Sequence, residues 1–192
     1  KMGFSGALLC FAEVGMYEMS TFTSQFIGTA TLSVVIILFQ IMAVWWSVTF
    51  SISRAAATLI GKALAEGSAL DVKMYLKLSL INTLLEAVPL ALVSYLLRGY
   101  LVRIFQDDPE VVYIFTTTFW LACLGLTVNH FQTCMNQGVL IAFGEQSFIA
   151  WSMSIACYGV GVPFILMTIF LTDLGVTGLF LGFIISDTII LI

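Results

Sequence analysis

A chain of 192 residues that is 60% hydrophobic and 9% charged, with a formal net charge of −4, has too little polar surface to face water. Soluble domains carry about 25% charged and 45–50% apolar residues, so this composition excludes a soluble enzyme, a nucleic-acid binder and a disordered segment. Seven Lys and Arg against eleven Asp and Glu leave no basic surface for phosphates, nor a basic helix for an anionic leaflet.

The solvent is lipid, and a lipid-spanning helix takes about 20 mostly apolar residues. At roughly 30 residues per span plus loop, the chain holds about six. Spans are predicted near 3–27, 31–53, 76–102, 111–143, 148–171 and 175–192. The first starts too early and runs too long for a cleavable signal peptide. Opening at Lys1 and stopping inside an apolar run at Ile192, the chain reads as a fragment of a longer protein. The one substantial polar connector, Arg54–Lys77, reads as a short amphipathic turn around GKALAEGSALDVK. The others (RIFQDDPE, FGEQS and LTDLG) are brief and force neighbouring helices to run antiparallel. The expected fold is an all-α integral membrane protein, a single six-transmembrane-helix bundle over 1–192.

Orientation follows from the positive charges. Arg54, Lys62, Lys73 and Lys77 put loop 54–77 in the cytoplasm, although Arg98 and Arg103 weaken the bias from the other side; Lys1 then lies inside. Trp45, Trp46, Tyr95, Tyr100 and Tyr113 stand where interface anchors would. Gly178 and Gly182 form a small-residue pattern that permits close helix contact. Pro89 and Pro163 fall inside spans three and five and are expected to kink or break them. Cys10, Cys123, Cys134 and Cys157 have no metal-ligand spacing and read as small packing residues.

The informative residues are ionisable groups at membrane depth: Glu13 and Glu18 in span one, Glu86 in span three, His130 in span four and Asp187 in span six. An acid at a helix centre costs about 2.5–3.5 kcal/mol on insertion scales, and persists where it faces the bundle interior, a partner or water. All seven Lys and Arg sit at span ends or in loops, so these carboxylates cannot all be ion-paired. Low-polarity surroundings disfavour a lone charge, so such groups hold a proton or take a cation from outside the protein.

At about 100° per residue, Glu18, Thr21 and Gln25 share one face of span one, and Glu13, Tyr17 and Ser24 another. Together they make a wide polar sector suited to lining a cavity. A second patch, Asn129 to Gln137, carries Asn129, His130 and Gln132; it is either the inner interface or, in a longer helix, a cavity wall. Glu86, three residues before Pro89, and Asp187, near the end of its span, are reserve candidates. No nucleophile–base–acid set, phosphate loop or metal box is present, and YGVGVPF lies in a span with no strand before it, so neither enzyme chemistry nor a soluble cofactor is expected.

At Glu13-Val14-Gly15-Met16-Tyr17-Glu18 the sequence resembles the E-x-x-x-[YF]-E segment on the seventh helix of eukaryotic multidrug and toxin extrusion (MATE) transporters. Gly61–Gly67 is similar to that family's G-N-x-L-G-A-G loop after helix eight, and Ile104–Val111 to its F-T-x-D-x-E-V segment before helix ten. Gly138–Gln146 resembles G-V-L-R-G-x-G-x-Q. Tyr158–Pro163 with Gly175–Leu179 resembles the helix-eleven and helix-twelve signature. The matches run in order over nearly the whole chain.

The resemblance implies helices seven to twelve, the C-terminal lobe of a twelve-helix antiporter whose missing N-terminal six-helix lobe completes a central cavity. It further implies efflux of organic cations or drugs, coupled to proton or sodium entry, in a plasma or vacuolar-type membrane. Glu13 and Glu18 would then bind proton or cation, with Tyr17, Gln25, Asn129, His130 and Gln132 shaping the cavity. The sequence departs from the family where His130 aligns with a helix-ten acid, where Thr49 stands near an expected proline, at Leu59 for a loop arginine, and at Lys62 for the asparagine of G-N-x-L. Two rivals are a lipid-linked oligosaccharide flippase of related architecture and a truncated membrane protein that only assembles with partners.

Overall fold

The computed structural model describes residues 2–172 and 174–191, and every described element is helical. Helix α1 spans Met2–Ser24. Its end is rich in hydroxyls that turn back on their own backbone: Thr23 Oγ1 donates to Met19 O at 2.8 Å and Ser24 Oγ to Thr21 O at 2.7 Å. Such bonds compete with helix propagation, and the chain turns through Gly28. Helix α2 (Thr29–Ala65) and helix α3 (Ala69–Phe105) have 37 residues each.

The turn between α2 and α3 is Glu66–Ser68. Gly67 takes φ 71°, Gly67 N donates to Leu64 O and Ser68 N to Ala63 O, the paired bonds of a Schellman motif. Ser68 then caps α3 by accepting from Asp71 N. Helix α4 (Pro109–Leu140) opens on Asp108, whose carboxylate accepts from Glu110 N at 2.8 Å, with Pro109 in the first turn. Its last seven residues, Cys134–Leu140, are π-helical. Helix α5 (Gln146–Leu171) carries a second π segment, Ile155–Gly161, and helix α6 is Gly175–Leu191.

Six helices are therefore present, as expected, but two boundaries move. Span two does not end near Ser53: α2 continues as helix for twelve more residues, and α3 starts at Ala69 rather than near Leu76. The connector Arg54–Lys77 is helical on both sides of a three-residue turn. Hydropathy marks where lipid ends, whereas the Ala-rich run Arg54–Ala65 keeps the helix going. At 1.5 Å per residue each helix is about 55 Å long, against about 30 Å of hydrocarbon. Their joined ends project well beyond an apolar layer.

Neither proline stops its helix. Helix α3 runs on through Pro89, and Pro163 follows directly on the π segment of α5, where the hydrogen-bond register is already widened. Trp45 is no interface anchor; it is buried and meets Phe119 edge-on at 6.4 Å, while Tyr95, Tyr100 and Tyr113 are exposed. The expectations for Lys1 and for a sixth span ending at Ile192 fall outside the described residues.

The core lies between α1, α2, α4, α5 and α6, around Val34, Leu38, Phe115, Phe119, Leu179 and Phe180. Helix α3 packs on α2 and α4 and turns Leu84, Leu85, Leu92 and Leu96 outward, the face that lipid covers. Helices α2 to α5 are long and apolar enough to cross a membrane by length and composition. Helix α6 is shorter, at 17 residues, and α1 is interrupted by its glutamates. Gly178 and Gly182 let α6 press on α5: an added Cβ would collide with Thr168 at the first and Ile165 at the second.

Gly182→Leu is expected to cost about 1–3 kcal/mol by overpacking against Ile165, seen as a lower thermal midpoint in detergent. Gly99→Ala, in α3 with no atom near the new Cβ, is expected to raise the midpoint through about 0.5–1 kcal/mol of helix preference.

Candidate functional site

The rotation of α1 decides which of its polar residues face inward. Tyr158, on the π segment of α5, lays its hydroxyl on Gly15 where a side chain would collide, and donates to Phe11 O at 3.0 Å. Met16 packs against Gly161 from the same side. With that face taken by α5, Glu13, Tyr17, Glu18 and Thr21 turn towards α2. There a cavity of about 480 Å³ opens, completed by Phe39, Gln40 and Trp46 of α2.

From the cavity wall inward runs a polar cluster drawn from five helices. Gln137, on the π segment of α4, donates from Nε2 to Glu13 Oε2 at 3.4 Å. Asn129 Nδ2 donates to Asp187 Oδ2 at 3.1 Å, and Asp187 is buried on α6. Asp187 lies within electrostatic reach of Glu13, and the Tyr17 hydroxyl and the Cys157 thiol within reach of both. The Trp46 indole N–H is near Glu13 but has no aligned acceptor. Among the described residues, the ion pairs involving Lys or Arg are Lys62–Glu66 and Arg103–Asp107, both at exposed helix ends. Half-buried Glu13 and buried Asp187 thus share a site, each with one amide donor and, among the described residues, no cationic side chain.

Aromatic rings frame that site. Tyr17 stacks on Phe183 at 5.0 Å between centroids and meets Phe39 edge-on at 4.9 Å. Ring faces beside carboxylates attract a cation by two independent terms, charge and quadrupole.

The residues expected from sequence divide into three places. Glu13, Tyr17 and Glu18 line the cavity, Glu18 being exposed near its mouth. Asn129, His130 and Gln132 are buried inside the bundle and are not among the residues of the cavity wall. Gln132 reaches Met153 Sδ and accepts from Thr133 Oγ1. Gln25 lies in the turn after α1, exposed and away from the cavity, because the helix ends one residue before it. Of the reserve candidates, Asp187 joins Glu13, whereas Glu86 sits elsewhere, against Thr49 and His130. Sequence reasoning missed Phe39, Gln40, Trp46 and Gln137 as neighbours of Glu13; Gln137 alone carried a signal, as the last residue of the polar patch on span four.

The MatE family model matches residues 7–167. The chain belongs to the MatE family. An uncharacterized transporter of Schizosaccharomyces pombe is 27% identical over 182 residues, covering 95% of this chain and 34% of that protein. Multidrug and toxin extrusion protein 1 of Homo sapiens is 27% identical over 188 residues, covering 96% of this chain and 32% of that protein. The crystal structure of the eukaryotic MATE transporter AtDTX14 has the same fold over 98% of this chain and 42% of its own, with a TM-score of 0.90 at 19% identity. The chain spans about a third of the length of the curated relatives it matches.

Cys10 is exposed on the cavity wall, while Cys123, Cys134 and Cys157 are buried. A maleimide added to the native protein is expected to label Cys10 on the order of tenfold or more faster than the other three, as read by peptide mass mapping.

Proposed function

We propose that this chain is the C-terminal lobe of a secondary active antiporter that exports organic cations in exchange for protons or sodium ions. The observation that carries the reading is the pair Glu13, half-buried on the wall of an aromatic-lined cavity, and Asp187, buried behind it, with no Lys or Arg paired to either among the described residues. A carboxylate in low-polarity surroundings binds a proton or attracts a cation, and the two compete for one charge. When Glu13 is ionised, it draws an organic ammonium between the rings of Tyr17, Phe39 and Trp46. When a proton or sodium ion neutralises it, that attraction is lost and the compound leaves. Glu18, at the mouth, supplies the first attraction. Membership of the MatE family and the multidrug names of its relatives support export as the direction of transport.

The other half of the enclosure belongs to an N-terminal six-helix lobe, and the protein sits in a plasma or vacuolar-type membrane with the α2–α3 tip in the cytoplasm. That orientation follows from Arg54, Lys62, Lys73 and Lys77. No Lys or Arg is among the residues of the cavity wall, which disfavours a pyrophosphate-bearing lipid as cargo.

The test is efflux of a fluorescent organic cation from vesicles holding the full-length transporter under an imposed pH or sodium gradient. Glu13→Gln is expected to reduce efflux to the level of empty vesicles while membrane insertion is unchanged. Full efflux by this variant would reject the role of Glu13.

A further inference from the structure

A second ionisable cluster, half-buried Glu86 with buried His130, lies outside the cavity between α3 and α4. The Thr49 hydroxyl of α2 is 2.9 Å from both carboxyl oxygens of Glu86 on α3, and His130 Nδ1 of α4 is 3.3 Å from Glu86 Oε2. We propose that Glu86, His130 and Thr49 form a proton-binding site separate from the cavity, holding one exchangeable proton that the exported compound never touches. Its existence is independent of the antiporter reading; its link to transport rests on that reading.

Charge counting comes first. One proton on the pair gives either carboxylate with imidazolium or carboxylic acid with imidazole, and both forms have no net charge. Removing that proton leaves a carboxylate held by a single hydroxyl. Adding another leaves an imidazolium with no anion. In a low-polarity interior either departure is costly, so the buried pair keeps one proton until water reaches it. The Glu86 side chain is 12% exposed and the imidazole 0%, so the carboxyl is the first of the two groups that an entering water or proton would meet.

Among the described residues, no Lys or Arg forms an ion pair with Glu86 or His130. From α2 only Thr49 touches the carboxyl; Arg54, a turn further on, lies over the Phe50 ring at 4.6 Å. On α3, Arg98 lies over the Tyr95 ring at 4.2 Å and donates to Tyr95 O. On α4, the free thiol of Cys134 is one turn beyond His130, and Asn129 leads away to Asp187 on α6.

A purely structural buried histidine ordinarily has its ring nitrogens paired. Here neither nitrogen of the fully buried His130 ring has an aligned hydrogen bond. The ring is therefore not locked by hydrogen bonds, as the proposed exchange of a proton requires. The site also has a short route to the cavity. The His130 carbonyl accepts from Cys134 N, the first residue of the π segment that carries Gln137, and Gln137 is the donor to Glu13. A shift of the His130 ring and its turn therefore displaces the amide that holds Glu13.

Two measurements on the purified full-length transporter test the proposal. In pH-titrated infrared difference spectra, a carboxylic acid C=O band is expected to disappear in Glu86→Gln, to change frequency in Thr49→Val and His130→Gln, and to persist in Glu13→Gln and Asp187→Asn. In vesicles, Glu86→Gln is expected to bind the fluorescent cation as the wild type does, yet to lose about fivefold or more of its pH-gradient-driven efflux. Should Glu86→Gln misfold, Thr49→Val and His130→Gln carry the spectral test. Spectra in which none of these three variants alters a titrating band would overturn the site. An unchanged pH profile of efflux in Glu86→Gln would overturn its link to transport. A wild type that exports nothing while the band still depends on Glu86 would sink the antiporter reading and leave the site standing.

Discussion

The organising constraint of this bundle is that, among the described residues, its interior acids have no lysine or arginine to neutralise them. A lipid-spanning helix tolerates a carboxylate only if the fold brings it a donor, and here the donors are amides and one hydroxyl. Asn129 serves Asp187, Gln137 serves Glu13 and Thr49 serves Glu86. Two of the three donors come from α4, which explains why its lower half is polar on nearly every side. Hydrogen bonds from neutral amides hold an acid without fixing its charge, so the sites keep their freedom to change state, which an arginine would remove.

Helix α4 is accordingly the spine of the lobe. Its consecutive residues Asn129 and His130 point to opposite neighbours, one to α6 and one to α3, as the helical rotation per residue requires. The widened turns that follow bring Gln137 to α1. A matching π segment on α5 sets Tyr158 on Gly15 and thereby fixes how α1 is turned. Segments of this kind occur disproportionately at functional positions, and both here bear on the same glutamate.

Fold class was largely legible in the amino-acid pattern. Six apolar stretches with short connectors leave few arrangements, and the Gly178–Gly182 spacing found its partner in α5. The ends of α2 and α3 were not legible from hydropathy, because the helices continue past the apolar layer into a small second core where Ala56, Ile60 and Val139 pack with Val72, Tyr75 and Leu76. Within the site, the acids of span one announced themselves by being expensive in lipid. Their neighbours did not: Phe39, Trp46 and Phe183 look like any other apolar residue until α2 and α6 are rotated into place. Asp187 read only as a reserve candidate near the end of its span, because its chain position gave no hint of the amide waiting on α4. Gln25 misled for the opposite reason, since its helical phase was right but the helix stops at Ser24.

The α2–α3 hairpin gives the lobe a mechanical property. Two rods of about 55 Å, clasped by only three residues, leave little slack at the tip. A swing of about 10° about the middle of the rods therefore carries the tip through about 5 Å, roughly the diameter of a small solute. Leverage of that kind turns a modest rearrangement around Thr49 and Glu86, near the middle of the rods, into a large excursion where the hairpin meets water.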